Sequence, residues 1–207
     1  MSYETPPPSP PEQIEIGLTN ELAVDVEENK SPVKAMIEWL VVVGAALLVA
    51  LIIRWQFFGA YVIPSGSMYP TLQYQGTRDR VLVNKLSYKL HDIHRGDVVV
   101  FSRPPAESDQ TIKDLIKRVI GLPGDSVSAK NNVVYIGDQP LDEPYVNPAC
   151  GGTRDFGPVV VPDGELFVMG DNRCNSEDSR VFGTISDDLV VGRAFVRVWP
   201  LDHLGWL

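Results

Sequence analysis

Hydrophobic residues follow two contrasting patterns along this chain. From Trp39 to Ile53 no charged or polar side chain interrupts the apolar run, and Glu38 and Arg54 bracket it. Carried on through Arg54 to Phe58 the segment is 20 residues long, which matches the roughly 20 residues a helix needs to cross hydrocarbon. Trp39, Trp55 and Tyr61 stand where interfacial aromatics belong. The pattern predicts a transmembrane helix over residues 34–58. A cleavable leader would need a small-x-small pair after the run, and Arg54-Trp55-Gln56-Phe57-Phe58-Gly59-Ala60 offers none. The reading is an uncleaved anchor. Lys30 and Lys34 before the span, against Arg54 after it, favour a cytoplasmic N-terminus.

Beyond Ala60 the pattern changes to short β-type runs punctuated by glycine and proline. Strands are predicted at 80–85, 97–101, 115–122, 126–129, 133–136, 158–161, 166–169 and 190–199, where β-branched and aromatic residues cluster. Leu122-Pro123-Gly124-Asp125 places proline and glycine at the centre of a type II turn, and Ile136-Gly137-Asp138-Gln139 reads as a tight reversal. No helical periodicity of any length competes after Phe58. The expected fold is therefore mainly β: a single N-terminal transmembrane helix followed by an all-β domain over residues 59–207.

Charge adds a third segment. The net charge is −9 over 207 residues. Residues 1–33 hold seven acids and one base, 1 − 7 = −6, which leaves −9 − (−6) = −3 for the remainder. With Pro6-Pro7-Pro8-Ser9-Pro10-Pro11 at its head, this tail cannot bury enough apolar surface to fold and is expected to be disordered. The near-balanced domain shows no basic patch with interleaved aromatics, which argues against nucleic acid as a partner. The two cysteines, Cys150 and Cys174, form no CxxC; a disulfide and two free thiols both fit the sequence.

Candidate chemistry begins at Ile63-Pro64-Ser65-Gly66-Ser67-Met68-Tyr69-Pro70-Thr71-Leu72. Two hydroxyls flanking a glycine, with prolines on both sides, suit an exposed, rigid turn presenting a nucleophile and a donor; an ordinary turn has the same composition. A metal site at His91-Asp92-Ile93-His94 lacks a third ligand at a recognised spacing. The loop beginning at Asp171 fails as a calcium site, because Arg173 stands where an oxygen ligand is required. A Ser-His-Asp triad would have to recruit His91, His94 or His203, none of which lies in a distinctive segment.

Lysine is the more informative base. In Leu115-Ile116-Lys117-Arg118-Val119-Ile120 two adjacent cations interrupt an apolar strand, and alternation sends them to opposite, equally apolar faces. Either both cations reach solvent at a sheet edge, or at least one is buried. A buried lysine can shed its proton and an arginine cannot. The amine's ordinary pKa of about 10.4 falls by several units on desolvation, which would make Lys117 a general base near neutral pH. The polar run from Met169 to Arg180 then reads either as a surface loop or as a shell that orients the lysine.

Taken together, four segments resemble bacterial type I signal peptidase, in that family's order. They are Pro64 to Leu72, Arg95-Gly96-Asp97-Val98-Val99-Val100-Phe101, Lys117-Arg118-Val119-Ile120-Gly121-Leu122-Pro123-Gly124-Asp125, and Gly170-Asp171-Asn172-Arg173 through Ser176-Glu177-Asp178-Ser179-Arg180. The resemblance implies a membrane-bound serine endopeptidase that removes signal peptides from exported preproteins after small-x-small sites. It implies Ser67 as nucleophile, Lys117 as general base, and Ser65 with the Ser67 backbone N–H as the oxyanion hole. Ser176 would position the lysine amine, supported by an Asp178–Arg180 ion pair. Ile63, Pro64, Met68, Leu72 and Ile116 would lie near the shallow substrate pockets. No metal and no cofactor are implied. The partners expected are preprotein signal peptides and the lipid bilayer, with no obligate protein partner. The expected location is the plasma (inner) membrane, single-pass, with the catalytic domain on the extracytoplasmic face. Cys174 departs from the family pattern, where a polar residue is expected.

Overall fold

The computed structural model describes residues 31–73, 75–105 and 112–207. The acidic tail expected over 1–33 therefore falls almost wholly outside the described residues. The chain divides into two compact units, residues 1–44 and 45–207. The first carries the beginning of helix α1 (Pro32–Phe57); the second carries the rest of that helix and every strand.

Helix α1 starts with proline in its first turn, where the missing N–H costs nothing. The Ser31 hydroxyl accepts from the Lys34 backbone N–H at 3.4 Å. The apolar side chains of α1 show no preferred face and remain exposed from Trp39 to Ile53. It is the one helix among the described residues long and apolar enough to cross a membrane. It starts two residues before the expected span and stops one residue short of Phe58, because the chain turns directly into strand there.

The strands are β1 (Phe58–Val62), β2 (Arg80–Asn84), β3 (Val98–Ser102), β4 (Asp114–Gly121), β5 (Ser126–Lys130), β6 (Val133–Ile136), β7 (Gln139–Pro140), β8 (Phe156–Val160), β9 (Glu165–Met169), β10 (Ile185–Ser186), β11 (Val190–Trp199) and β12 (Gly205–Trp206). Two short helical turns, α2 (Ser87–Leu90) and α3 (Ser179–Phe182), interrupt them. All pairings are antiparallel. The larger sheet runs β1-β2-β11-β3-β4-β9-β10, with β12 on β11; the smaller runs β7-β6-β5-β8. Every strand expected from the sequence is present.

Three apolar clusters hold the domain together. The first joins Ile63, Met68 and Leu72 to Val81, Val83, Val98, Val100, Ile116 and Ala194. The second packs Val99, Phe101 and Val119 against Leu166, Val168 and Phe182. The third sits under the smaller sheet around Val127, Val134, Val161 and Phe167. The central strands β3 and β4 are buried on both faces, which is why their sequences are continuous apolar runs rather than alternating ones. Gly121 lies where the two sheets meet. A Cβ there would come within 2.6 Å of Val127 and 2.9 Å of both Phe167 and Val161, so the crossing admits only glycine.

Candidate active site

The turn after β1 is fixed from below by apolar anchors. Ile63, Met68 and Leu72 are 1%, 0% and 0% exposed and lock into the first cluster. Between these anchors, Gly66–Met68 winds into a single 3₁₀ turn that carries Ser67. The turn is also held by backbone bonds. Ile63 N–H donates to the Asp79 carbonyl at 2.9 Å, and Leu72 N–H to the Met68 carbonyl at 2.9 Å. Asn172 grips it from the opposite segment, its backbone N–H on the Ser67 carbonyl at 3.0 Å and its side-chain amide on the Gly66 carbonyl at 2.9 Å.

Lys117 comes from β4, in register with Val99 of β3. It is 3% exposed. Its Nζ lies 3.1 Å from Ser67 Oγ and 3.2 Å from the Ile116 carbonyl. Ser65 Oγ sits 3.3 Å from Ser67 Oγ, completing a line of amine, hydroxyl and second hydroxyl. Of the two alternatives open for the β4 cations, burial is the outcome, and both are buried.

The loop after β9 closes the site. Gly170 passes so near the turn that a Cβ would lie 2.4 Å from the Ser67 carbonyl and 2.3 Å from Ser176 Oγ. So close an approach of backbone to the Ser67 turn needs a residue without a side chain here. Asp178 is fully buried, accepts the Gly170 N–H at 3.0 Å and pairs with Arg180 at 2.7 Å. Arg180 in turn donates to the Arg173 carbonyl at 2.9 Å. The Ser176 hydroxyl oxygen is buried against Gly170 and has no hydrogen-bond partner among the described residues.

Known proteins match this sequence. The family model described as "Signal peptidase, peptidase S26" matches residues 36–199. The chain belongs to the peptidase S26 signal peptidase family. The "Probable signal peptidase I-2" of Synechocystis sp. is 44% identical over 78% of this chain and 72% of its own length. "Signal peptidase I S" of Bacillus subtilis is 43% identical over 86% and 96% respectively. A solved signal peptidase I from Enterococcus faecalis V583 aligns with a TM-score of 0.42 at 32% identity, covering 50% of this chain and 97% of that one. The four segments singled out in the sequence all lie inside the matched region.

In this signal peptidase the second β4 cation is fully accounted for. Arg118 makes a two-pronged pair with Asp171 at 2.9 and 2.7 Å, donates to the Gly96 carbonyl at 2.8 Å and lies 4.0 Å over the Tyr145 ring. Thr71 Oγ1 donates to the same Asp171 carboxylate at 2.6 Å, tying the turn to the loop. Burial first, and then the Glu143 carboxylate, push the Tyr145 phenol above its ordinary pKa, so it keeps its proton and donates to Glu143 at 3.1 Å. Arg173 pairs with Glu143 and donates to Thr153 Oγ1 at 2.9 Å. Cys150 and Cys174 are bridged, joining the 148–150 turn to the same loop.

Ser65, Ser67 and Lys117 open onto a cleft of about 290 Å³ lined also by Ile112, Leu115 and Glu177, among others. The residues expected near the substrate pockets do not line this cleft. Ile63, Met68, Leu72 and Ile116 are core residues beneath the turn, and Pro64 is exposed. The apolar lining of the cleft comes from Ile112 and Leu115. A turn must be anchored by apolar side chains before it can present a hydroxyl, so its apolar positions serve packing. Asn172 and Asp171 received no individual role from the sequence, although the Gly170-Asp171-Asn172-Arg173 run was legible. Their partners are 53 and 106 positions away, at Arg118 and Gly66 respectively for Asp171 and Asn172.

Proposed function

We propose that the protein is a membrane-anchored serine endopeptidase that cleaves signal peptides from exported preproteins after small-x-small sites. One observation carries the reading: an amine 3% exposed stands 3.1 Å from the hydroxyl of a serine 6% exposed. A free hydroxyl is a poor nucleophile at neutral pH and needs a neighbouring base. Burial favours the uncharged amine, which can accept the Ser67 proton as Oγ attacks the scissile carbonyl carbon. The developing oxyanion takes a hydrogen bond from Ser65 Oγ and another from the Ser67 N–H. The Lys117 ammonium then returns the proton to the departing nitrogen, leaving an acyl-Ser67 ester. Lys117 next accepts a proton from water as it attacks that ester, then gives the proton to Ser67 Oγ as the acyl–oxygen bond breaks. Ser176, whose hydroxyl bonds no described residue in this structure, would orient the amine only after turning toward it, and the Asp178–Arg180 pair holds its loop.

The apolar helix supplies the anchor, with the N-terminus cytoplasmic and the catalytic domain on the extracytoplasmic face of the bilayer. Small residues before the cut fit a shallow cleft whose apolar lining is limited to Ile112 and Leu115. A panel of preproteins incubated with purified full-length protein tests the reading. Wild type should release signal peptides, while Ser67→Ala and Lys117→Ala should release none above background. Processing by either variant at the wild-type rate would overturn the assignment.

A further inference from the structure

Cys150 and Cys174 are bonded to each other across 24 positions of sequence, and the proposed peptide cleavage uses neither. Their bridge is not sealed in the core. Cys174 is exposed and Cys150 half-buried, and both line a cavity of about 530 Å³. Gly151 and Gly152 continue the wall beyond Cys150 and have no side chains to cover the sulfurs. Exposed disulfides are the ones open to exchange with other thiols.

The two sulfurs are not equivalent. The Cys174 N–H donates to Cys150 Sγ at 2.9 Å, so negative charge appearing on Cys150 meets a donor already in place. Arg154 brings a cation to the same cavity. Cys174 is therefore the sulfur an incoming thiolate reaches, and Cys150 the one that leaves.

What the bridge holds is the loop that grips the nucleophile turn. Asn172, two residues before Cys174, binds the Gly66 carbonyl at 2.9 Å and the Ser67 carbonyl at 3.0 Å. Its Oδ1 lies 3.1 Å from Cys150 Sγ and 3.3 Å from Cys174 Sγ, so the bridge packs against the very carboxamide that reaches Gly66. The 148–150 turn also meets this loop through the Asn147 N–H on the Asp171 carbonyl, a long bond of 3.3 Å. Arg173 keeps Glu143 and Thr153 whether or not the sulfurs are joined. Opening the bridge should thus loosen the loop without unfolding it.

We propose that Cys150–Cys174 is a thiol-exchange site: a protein dithiol opens it, and opening it slows the peptidase by relaxing the grip of Asn172 on the Ser67 turn. A thiolate of the dithiol attacks Cys174 Sγ, the Cys150–Cys174 bond breaks, and Cys150 leaves as a thiolate. The second thiol of the reductant then attacks the mixed disulfide, closing its own disulfide and releasing Cys174. Two electrons and two protons pass from the dithiol to the bridge. The control of rate rests on the peptidase reading; the exchange chemistry does not.

The test uses the full-length protein and a C-x-x-C dithiol protein in two forms. With its second cysteine replaced by serine, exchange halts at the mixed disulfide, and peptide mapping should find the adduct on Cys174. No adduct, or an adduct on Cys150, would overturn the proposal. With the intact dithiol, both cysteines should become open to alkylation and kcat on a preprotein should fall about fivefold to tenfold. That is the scale of one neutral hydrogen bond, and KM should change little. Re-oxidation should restore the rate. The Cys150→Ser/Cys174→Ser double variant should start at the reduced rate and ignore the dithiol. An unchanged kcat after full reduction would make the bridge idle, and an inactivation that re-oxidation cannot reverse would make it a staple of the fold; either overturns the proposal. If oxidised wild type cleaves no preprotein while the adduct maps to Cys174, the peptidase reading fails, the control of rate fails with it, and the exchange site stands.

Discussion

Lys117 and Arg118 are consecutive on β4, both cationic by type and both buried, yet their surroundings differ in kind. Arg118 is surrounded by groups that suit a permanent charge: the Asp171 carboxylate, the Gly96 carbonyl and the Tyr145 ring. Lys117 meets a serine hydroxyl and a backbone carbonyl. The guanidinium cannot deprotonate, so its burial is tolerable only with such a complement. The amine has a second option, a neutral form, in which it can accept a proton from the Ser67 hydroxyl. We read Arg118 as a strut and, under the proposed function, Lys117 as a base. The strut still serves the base, because Asp171 also binds Thr71 of the nucleophile turn.

Three substitutions bear on that contrast. Lys117→Met removes the base while keeping volume and apolar fit. Cleavage should fall by ~10⁴-fold, and stability in denaturant titration should be unchanged or higher. A Lys117→Met protein that unfolds readily would make Lys117 a second strut. Arg118→Met should do the reverse, leaving Asp171 buried without its counter-ion and costing about 3–5 kcal/mol of stability by the same titration. If Arg118→Met is as stable as wild type, the Asp171 pair contributes nothing and the contrast fails on that side. Smallest is Ser65→Ala, which removes one oxyanion donor; kcat should drop by about 10²- to 10³-fold with KM little changed. An unaltered kcat would remove Ser65 from the mechanism.

Most of the architecture was legible because the strands are dense in β-branched residues and separated by glycine and proline. The strand after the anchor was not, since Phe57 and Phe58 continue an apolar run and only β-pairing with 80–84 reveals where helix stops. The two-residue strands at 139–140, 185–186 and 205–206 are too short to leave a periodic signal. The candidate base was visible as one of two adjacent charges out of place in an apolar strand. Two cysteines could not by themselves say whether they bond, and the structure bridges them. Ile63, Met68, Leu72 and Ile116 illustrate a different limit. An apolar residue beside a nucleophile looks the same in sequence whether it faces substrate or core, and here all four face the core.

The central claim is that Lys117 activates Ser67. Intact-mass analysis with peptide mapping, after exposure of the full-length protein to a serine-acylating β-lactam-type probe, tests it most directly. The account predicts one adduct on Ser67 in wild type, and none in Ser67→Ala or in folded Lys117→Met over the same interval. An adduct forming in Lys117→Met at the wild-type rate, or mapping to any residue other than Ser67, would contradict it.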